Sequence, residues 1–282
     1  MDTQGAPICP NCGHGLEPLL VSLSRLPADL RQAASSLGEG EARFLVDTYY
    51  QLQDFRKATG NQRRSLTESA EPHETISFFY GQFDALEKQI KGALDVYSAA
   101  DPLGEWARRQ VGIGPVIAAG LLAHIDFTVP TVGHIWRFAG LDPTVRWEKS
   151  KRRPWNAELK TLCWKIGDSF VKFSGREDCF YGQHYRQRKV YEVERDERGG
   201  NAETAAQTLK DRQIRDAETR RVYESGRLPA GRLDLRARRW AVKLFLAHLW
   251  EEGYRQRTGN EPLAPYPIAH LGHVHRIEAP TS

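Results

Sequence analysis

No stretch of this 282-residue chain approaches the about 18 to 20 consecutive apolar residues that a membrane span requires. The opening residues, MDTQGAPICP, have neither the basic region nor the apolar core of a secretory signal, so a cytoplasmic protein with no membrane partner is expected. Four cysteines in this length do not make a disulfide framework. Strict apolar–polar alternation is almost absent, and so is any internal repeat, which points to an all-α fold. Also missing is the set of strand-borne carboxylates that a two-metal nuclease needs; the first 130 residues read as helical and are too short to hold one.

What is present is an uneven spread of charge. The net charge is only +4, but residues 1–130 hold 11 Lys/Arg against 16 Asp/Glu, residues 131–191 hold 13 against 6, and residues 192–282 hold 16 against 14. A basic middle threaded with aromatics points to a polyanionic partner. The last segment reads as a solvated surface of mixed sign.

Four segments follow from the pattern. Residues 1–40 are an N-terminal arm. Its Cys9-Pro-Asn-Cys12 has the spacing and turn chemistry of half a zinc knuckle. His14, His270, His273, His275, Cys163 and Cys179 are the candidates to complete four ligands, although Cys163 falls on an apolar helix face. The histidines have no strand–helix frame that would make an HNH nuclease.

Residues 41–100 read as a coiled-coil hairpin. Its first helix carries Phe44, Leu45, Thr48, Tyr49, Leu52 and Phe55 at helical spacing and stops at Gly60-Asn61. The second carries Ile76, Phe79, Phe83, Leu86, Ile90, Leu94 and Tyr97, a near-heptad seam of the kind that pairs helices. That seam serves either the fold itself or a homodimer.

Residues 101–191 open with a helix at Asp101-Pro102 and reach RRQVGIGPVIAAGLLAHIDF, residues 108–127. Helix, Gly112-Ile-Gly114, helix is the layout of a helix–hairpin–helix. Its glycines allow backbone conformations that other residues resist, and Pro115 is tolerated in a first helical turn. Such a turn offers unpaired amides to a phosphate, with Arg108 and Arg109 beside it. A short helix carrying Arg137 then ends at Gly140, with Asp142-Pro143 beyond. The basic loop that follows holds Arg146, Trp147, Lys149, Lys151, Arg152, Arg153, Trp155 and Asn156, extended by Lys160, Lys165 and Lys172. Lysine and arginine neutralise phosphates. Tryptophan stacks on unpaired bases, so the mixture suits single-stranded or looped RNA. Ser150, in EKSKRR, would need activation as a nucleophile; the lysines around it could assist, but a lysine-rich RNA loop contains serine by chance. Residues 192–282 form a C-terminal helical segment with a strong amphipathic helix closed by Gly259 and a His-rich tail.

The order of hairpin, glycine hinge, Gly140-Leu141-Asp142-Pro143 and basic loop, across residues 41–191, resembles two groups. One is the C-terminal domain of RNA-guided insertion-sequence transposases, with its helix–hairpin–helix and Ala-Gly-Leu-x-Pro element. The other is the Nop domain of box C/D ribonucleoproteins, where a Gly-Ala-Glu-Lys element reaches RNA. The departure from that element leaves the role of Asp142 open. The grouping that joins both is the Nop-domain Tas family of TIGR-Tas RNA-guided systems. That resemblance implies a Nop-like domain, a bound guide RNA, a target DNA and, in a form without a nuclease domain, no enzymatic activity. A reduced transposase, with Ser150 as the residue at the catalytic serine's place, and a plain helix–hairpin–helix DNA-binding protein are the alternatives.

Overall fold

The computed structural model describes residues 24–263 and 276–280; every described element is helical. A short helix α1 (Ala28–Ala33) leads into the long pair α2 (Glu39–Glu68) and α3 (Glu74–Ala99). Next come α4 (Pro102–Arg109), α5 (Pro115–His124), α6 (Val132–Phe138) and α7 (Ala157–Phe173). The chain finishes with α8 (Phe180–Glu197), α9 (Ala202–Asp211), α10 (Ala217–Glu224) and α11 (Ala230–Thr258). Among these, none is long and apolar enough to cross a membrane.

The expected hairpin forms, with two corrections. Gly60-Asn61 does not stop α2, which continues to Glu68. The Tyr80 ring of α3 lies over Gly60, and the Arg63 guanidinium sits 4.3 Å from that ring's centre. Pairing with α3 outweighs the roughly 1 kcal/mol that a mid-helix glycine costs. The buried face is also shifted. Ala42 and Val46 are buried on α2, whereas Phe44 and Phe55 are exposed. The α3 seam closes at its base, where Leu94, with Ile90 and Tyr97 beside it, meets Val46, Tyr49 and Tyr50 of α2 and Val116 and Ala119 of α5. Towards the tip it opens, and Phe78 and Phe79 are about half exposed.

This arrangement explains why α5 is made of small and apolar residues. Its Ala118, Ala119 and Gly120 are buried, and Gly120 lies between Val46 of the hairpin and Leu162 of α7. Anything larger would hold the two halves apart. On the far side, α11 runs along α8 and α7 through the main core. Phe245 is its centre, stacked on Trp106 and edge-on to Phe170 and Tyr181. His248 accepts from the Tyr181 hydroxyl (3.0 Å) in the tautomer that donates through Nε2 to the Ile277 carbonyl (2.9 Å). This bond and the Arg276–Glu251 ion pair (2.7 Å) lay residues 276–280 against α11.

The charged stretch after residue 178 forms three helices. Gly199 supplies the turn after α8, and α9 and α10 pair with each other and meet the start of α11 at Arg232, which donates to the Thr208 and Tyr223 hydroxyls. They enclose a separate, small cluster of Ala205, Tyr223, Leu228 and Leu233.

Candidate nucleic-acid interface

The glycine hinge is built as expected but faces inward. Gly112 has φ +102° and a β-carbon there would meet Phe170 and Ser169 of α7. Ser169 donates its hydroxyl hydrogen to the Gly112 carbonyl at 2.6 Å, fastening the turn to α7. Gly114 has extended backbone and Pro115 occupies the first turn of α5. Arg108 does not point to solvent as a phosphate ligand. It is bonded to the Asp95 carboxylate (2.5 Å) and carbonyl (3.1 Å) and ties α4 to the hairpin. Arg109 is exposed.

The loop from α6 to α7 is anchored at both ends. Gly140 has φ +64° and lies so close to the Trp155 ring and the Lys160 stem that a β-carbon would collide with Trp155 Cγ at 2.8 Å. Asp142 accepts from the Thr144 amide (2.9 Å) and hydroxyl (2.7 Å), and these bonds hold the turn. These bonds hold its carboxyl below the usual range. Asn156 caps α7 by accepting from the Leu159 amide at 2.8 Å, so its side chain is committed to the fold. Trp155 is half-buried, with Lys160 Nζ 3.8 Å from its ring centre. Trp147 is 45% exposed, and its ring N–H donates to the Lys151 carbonyl at 2.7 Å. That bond fixes the indole while leaving ring surface open to solvent. Arg146, Lys149, Lys151, Arg152 and Arg153 are exposed, as is Arg137 on α6. Lys151 is paired with Glu148 at 2.6 Å. Ser150 has φ +70° at the loop tip.

Beside this loop opens a cavity of about 780 Å³ that the reading of the sequence did not anticipate. Leu141 and Pro143 form its near wall. Arg232, Arg236, Arg239, Trp240 and Lys243 line it from α11, and Arg188, Glu192 and Arg195 from α8. Arg212 and Tyr223 close the far side. Seven cations therefore face one acidic side chain. On α11 they recur at four, three and four residues, which is one stripe of a helix. Three of the cations stand against aromatic rings: Arg188 over Trp240, Arg232 over Tyr223 and Lys243 over Trp136.

The electrostatics join loop and cavity. Burial, and then the charges of Arg236 and Arg232, disfavour the charged form of Arg239. Lys243 is depressed by burial and by Arg239, against the pull of Asp142. Lys160 is depressed by burial, Arg239 and Arg153 together. Lys160 thus feels the loop and the cavity at once. Cations crowded in this way are relieved by an anion. A smaller cavity lined by Gly140, Lys160, Trp164, Arg238 and Arg239 shares Leu141, Leu235 and Arg239 with the larger one, so the surface is continuous from the loop to α11.

Cys9, Cys12, His14, His270, His273 and His275 lie outside the described residues, and so does the proposed zinc knuckle. Among the described residues no three His, Cys, Asp or Glu side chains cluster as a metal site. Cys163 is buried in the core, which pushes its thiol up to about 12. No family model, curated protein or solved structure matches this chain.

Proposed function

We propose that this chain is a Nop-like, guide-RNA-binding protein that presents the RNA to a DNA target and has no nuclease chemistry of its own. The observation that carries the RNA reading is the continuous basic, aromatic-bearing surface running from Trp147 and Arg153 through Lys160 to Arg239 and Lys243. Cations alone suit any polyanion. Exposed and cation-backed rings add the stacking surfaces that unpaired bases use. The guide and the DNA target rest on the resemblance of the hairpin, hinge and Gly-Leu-Asp-Pro order to RNA-guided Nop-domain proteins. A plain helix–hairpin–helix DNA-binding role is less well supported, because Arg108 is spent on Asp95 and the Ile113 amide of the turn on the Gln110 carbonyl. The acidic groups of the site also have structural partners: Asp142 holds a turn and Glu192 meets Arg188.

The test is to purify the chain and treat the co-purifying nucleic acid separately with ribonuclease and deoxyribonuclease. RNA of discrete length is expected. A nucleic-acid-free preparation that binds no single-stranded RNA at 0.1 M salt overturns the reading.

We also propose that two copies associate through the hairpin. Phe44, Phe55, Phe78 and Phe79 leave about half or more of their surface exposed along α2 and α3. Phe55 and Phe79 both stack on Phe83 to form a ready apolar patch. Light scattering should show a dimer that F55E/F79E converts to monomer with little loss of helicity. A parent protein that is monomeric with and without RNA ends this proposal.

A further inference from the structure

One buried acceptor in the basic cavity has no donor. Glu192 is 2% exposed and sits on the cavity wall. Its Oε1 accepts two hydrogen bonds from Arg188, through Nε (2.9 Å) and Nη2 (2.7 Å). Its Oε2 accepts none, the only such buried side-chain atom among the described residues. The nearest cation, Arg236 Nη1, stays at 3.6 Å from Oε2 because it donates at 2.6 Å to Asn201 Oδ1. Asn201 is held in turn by Asp196, which also accepts from the Leu228 amide and Arg227. Arg236 is therefore held by a buried chain of bonds at ion-pair distance from Oε2, without donating a hydrogen bond to it. A buried carboxylate oxygen left without a donor is costly, and native proteins seldom keep one without a purpose.

The surroundings specify what the missing donor is. It must be an N–H or O–H at the floor of a cavity whose rim is cationic. One wall carries Trp240, half-buried and backed by Arg188, a flat surface for a planar group. Phosphate supplies acceptors only and is repelled by a carboxylate. A nucleotide satisfies both demands: its phosphates meet the rim and its base reaches the floor.

We propose that this cavity seats one unpaired base of the bound RNA, and that an exocyclic amino group on that base donates to Glu192 Oε2. Adenine, cytosine and guanine carry such a group. Uracil presents carbonyl oxygens on either side of its single N–H, and these oppose a carboxylate. Glu192 thereby acts as a base-selecting residue that disfavours uracil. The inference deepens the RNA-binding reading and rests on it.

The test compares labelled cytidine and uridine decamers on the full chain. They differ only along the edge that carries the cytosine amino group. A third decamer of pyrimidin-2-one riboside removes the amino group without adding a carbonyl. The C decamer is expected to bind on the order of tenfold tighter than the U decamer, as one hydrogen bond to a charged acceptor would provide. The pyrimidinone decamer should lose most of that advantage. Glu192→Gln, whose amide can also donate to a carbonyl, should bring C and U within about twofold, mainly by strengthening U. If the parent binds C and U decamers within twofold, the base seat is wrong and the RNA reading survives. Full C preference in Glu192→Gln also overturns the seat. Failure to bind any decamer removes the RNA reading, and the seat with it. If Glu192→Gln does not fold, the pyrimidinone decamer decides on the unmodified protein: binding equal to that of the C decamer rejects the amino contact.

Discussion

Replacing Arg195, Arg212, Arg239 and Lys243 together with glutamine is expected to lower affinity for single-stranded RNA by nearly three decades at 0.1 M salt. Each phosphate neutralised on a single strand contributes roughly 0.7 to the slope of log affinity against log salt, so four lost contacts flatten that slope by about three units. The same difference shrinks towards zero as salt approaches 1 M. None of the four belongs to the ion pairs that brace Glu192, which Arg188 and Arg236 form. Burial and like charge already disfavour the charged forms of Arg239 and Lys243. The unliganded variant should therefore melt no lower than the parent. Fluorescence anisotropy at several salt concentrations, with a thermal melt on the same samples, checks both halves. An unchanged slope in a folded variant excludes the cavity as the phosphate-binding surface. The loop set Lys149, Lys151, Arg152 and Arg153 should contribute less per residue, since Lys151 is already paired with Glu148.

Gly104→Ala is expected to destabilise the protein by about 3 to 5 kcal/mol, more than any substitution in the binding surface. Gly104 is where α4 crosses the end of α3. A β-carbon there would overlap the carbonyl oxygen of Ser98 and stand 2.9 Å from Leu122 Cδ1. Ser98 is fully buried, and its carbonyl is helix backbone that moves only if the hairpin moves. A melting point lower by about 10 °C is the expected readout for a chain of this size. Gly231→Ala is the control, because a β-carbon there meets nothing within 4 Å in the first turn of α11. A loss under 1 kcal/mol for Gly104→Ala would show that the α3–α4 contact is looser than described.

The all-helical class, the hairpin and the Gly112 turn were legible because each has a local cause. Periodicity marks the amphipathic faces. Asp101, Pro115 and Asn156 mark helix starts, and a glycine marks each positive-φ turn at 112, 140 and 259. The side of α2 that is buried was not legible. Phe44 and Phe55 outrank Ala42 and Val46 in hydrophobicity, but docking on α5 favours the small residues. The cavity was missed for a different reason. Counting charge over residues 192–282 averages faces that point in opposite directions. Read at helical period, Arg232, Arg236, Arg239 and Lys243 form one stripe, and Arg188, Glu192 and Arg195 another. What no pattern shows is that α8 lies along α11 and brings the two stripes together. Arg108 misled in the opposite sense: its partner Asp95 is 13 residues away, across a helix boundary.

In the proposed RNA-binding role, the small cluster beneath α9 and α10 sets how a strand would enter the cavity. The main core buries twenty-five hydrophobic residues, whereas four, with Val193, Leu209 and Ile214 partly buried around them, lie under the flap of α9 and α10. Opening free energy follows buried apolar contact, so the flap should breathe long before the bundle does. A strand can then be laid in from the side instead of being threaded by its end, which suits a folded or circularly constrained RNA. In hydrogen–deuterium exchange, amides of α9 and α10 should label well ahead of those in α7 and α11. Bound RNA, gripped from both sides by Arg212 and Arg239, should slow them most.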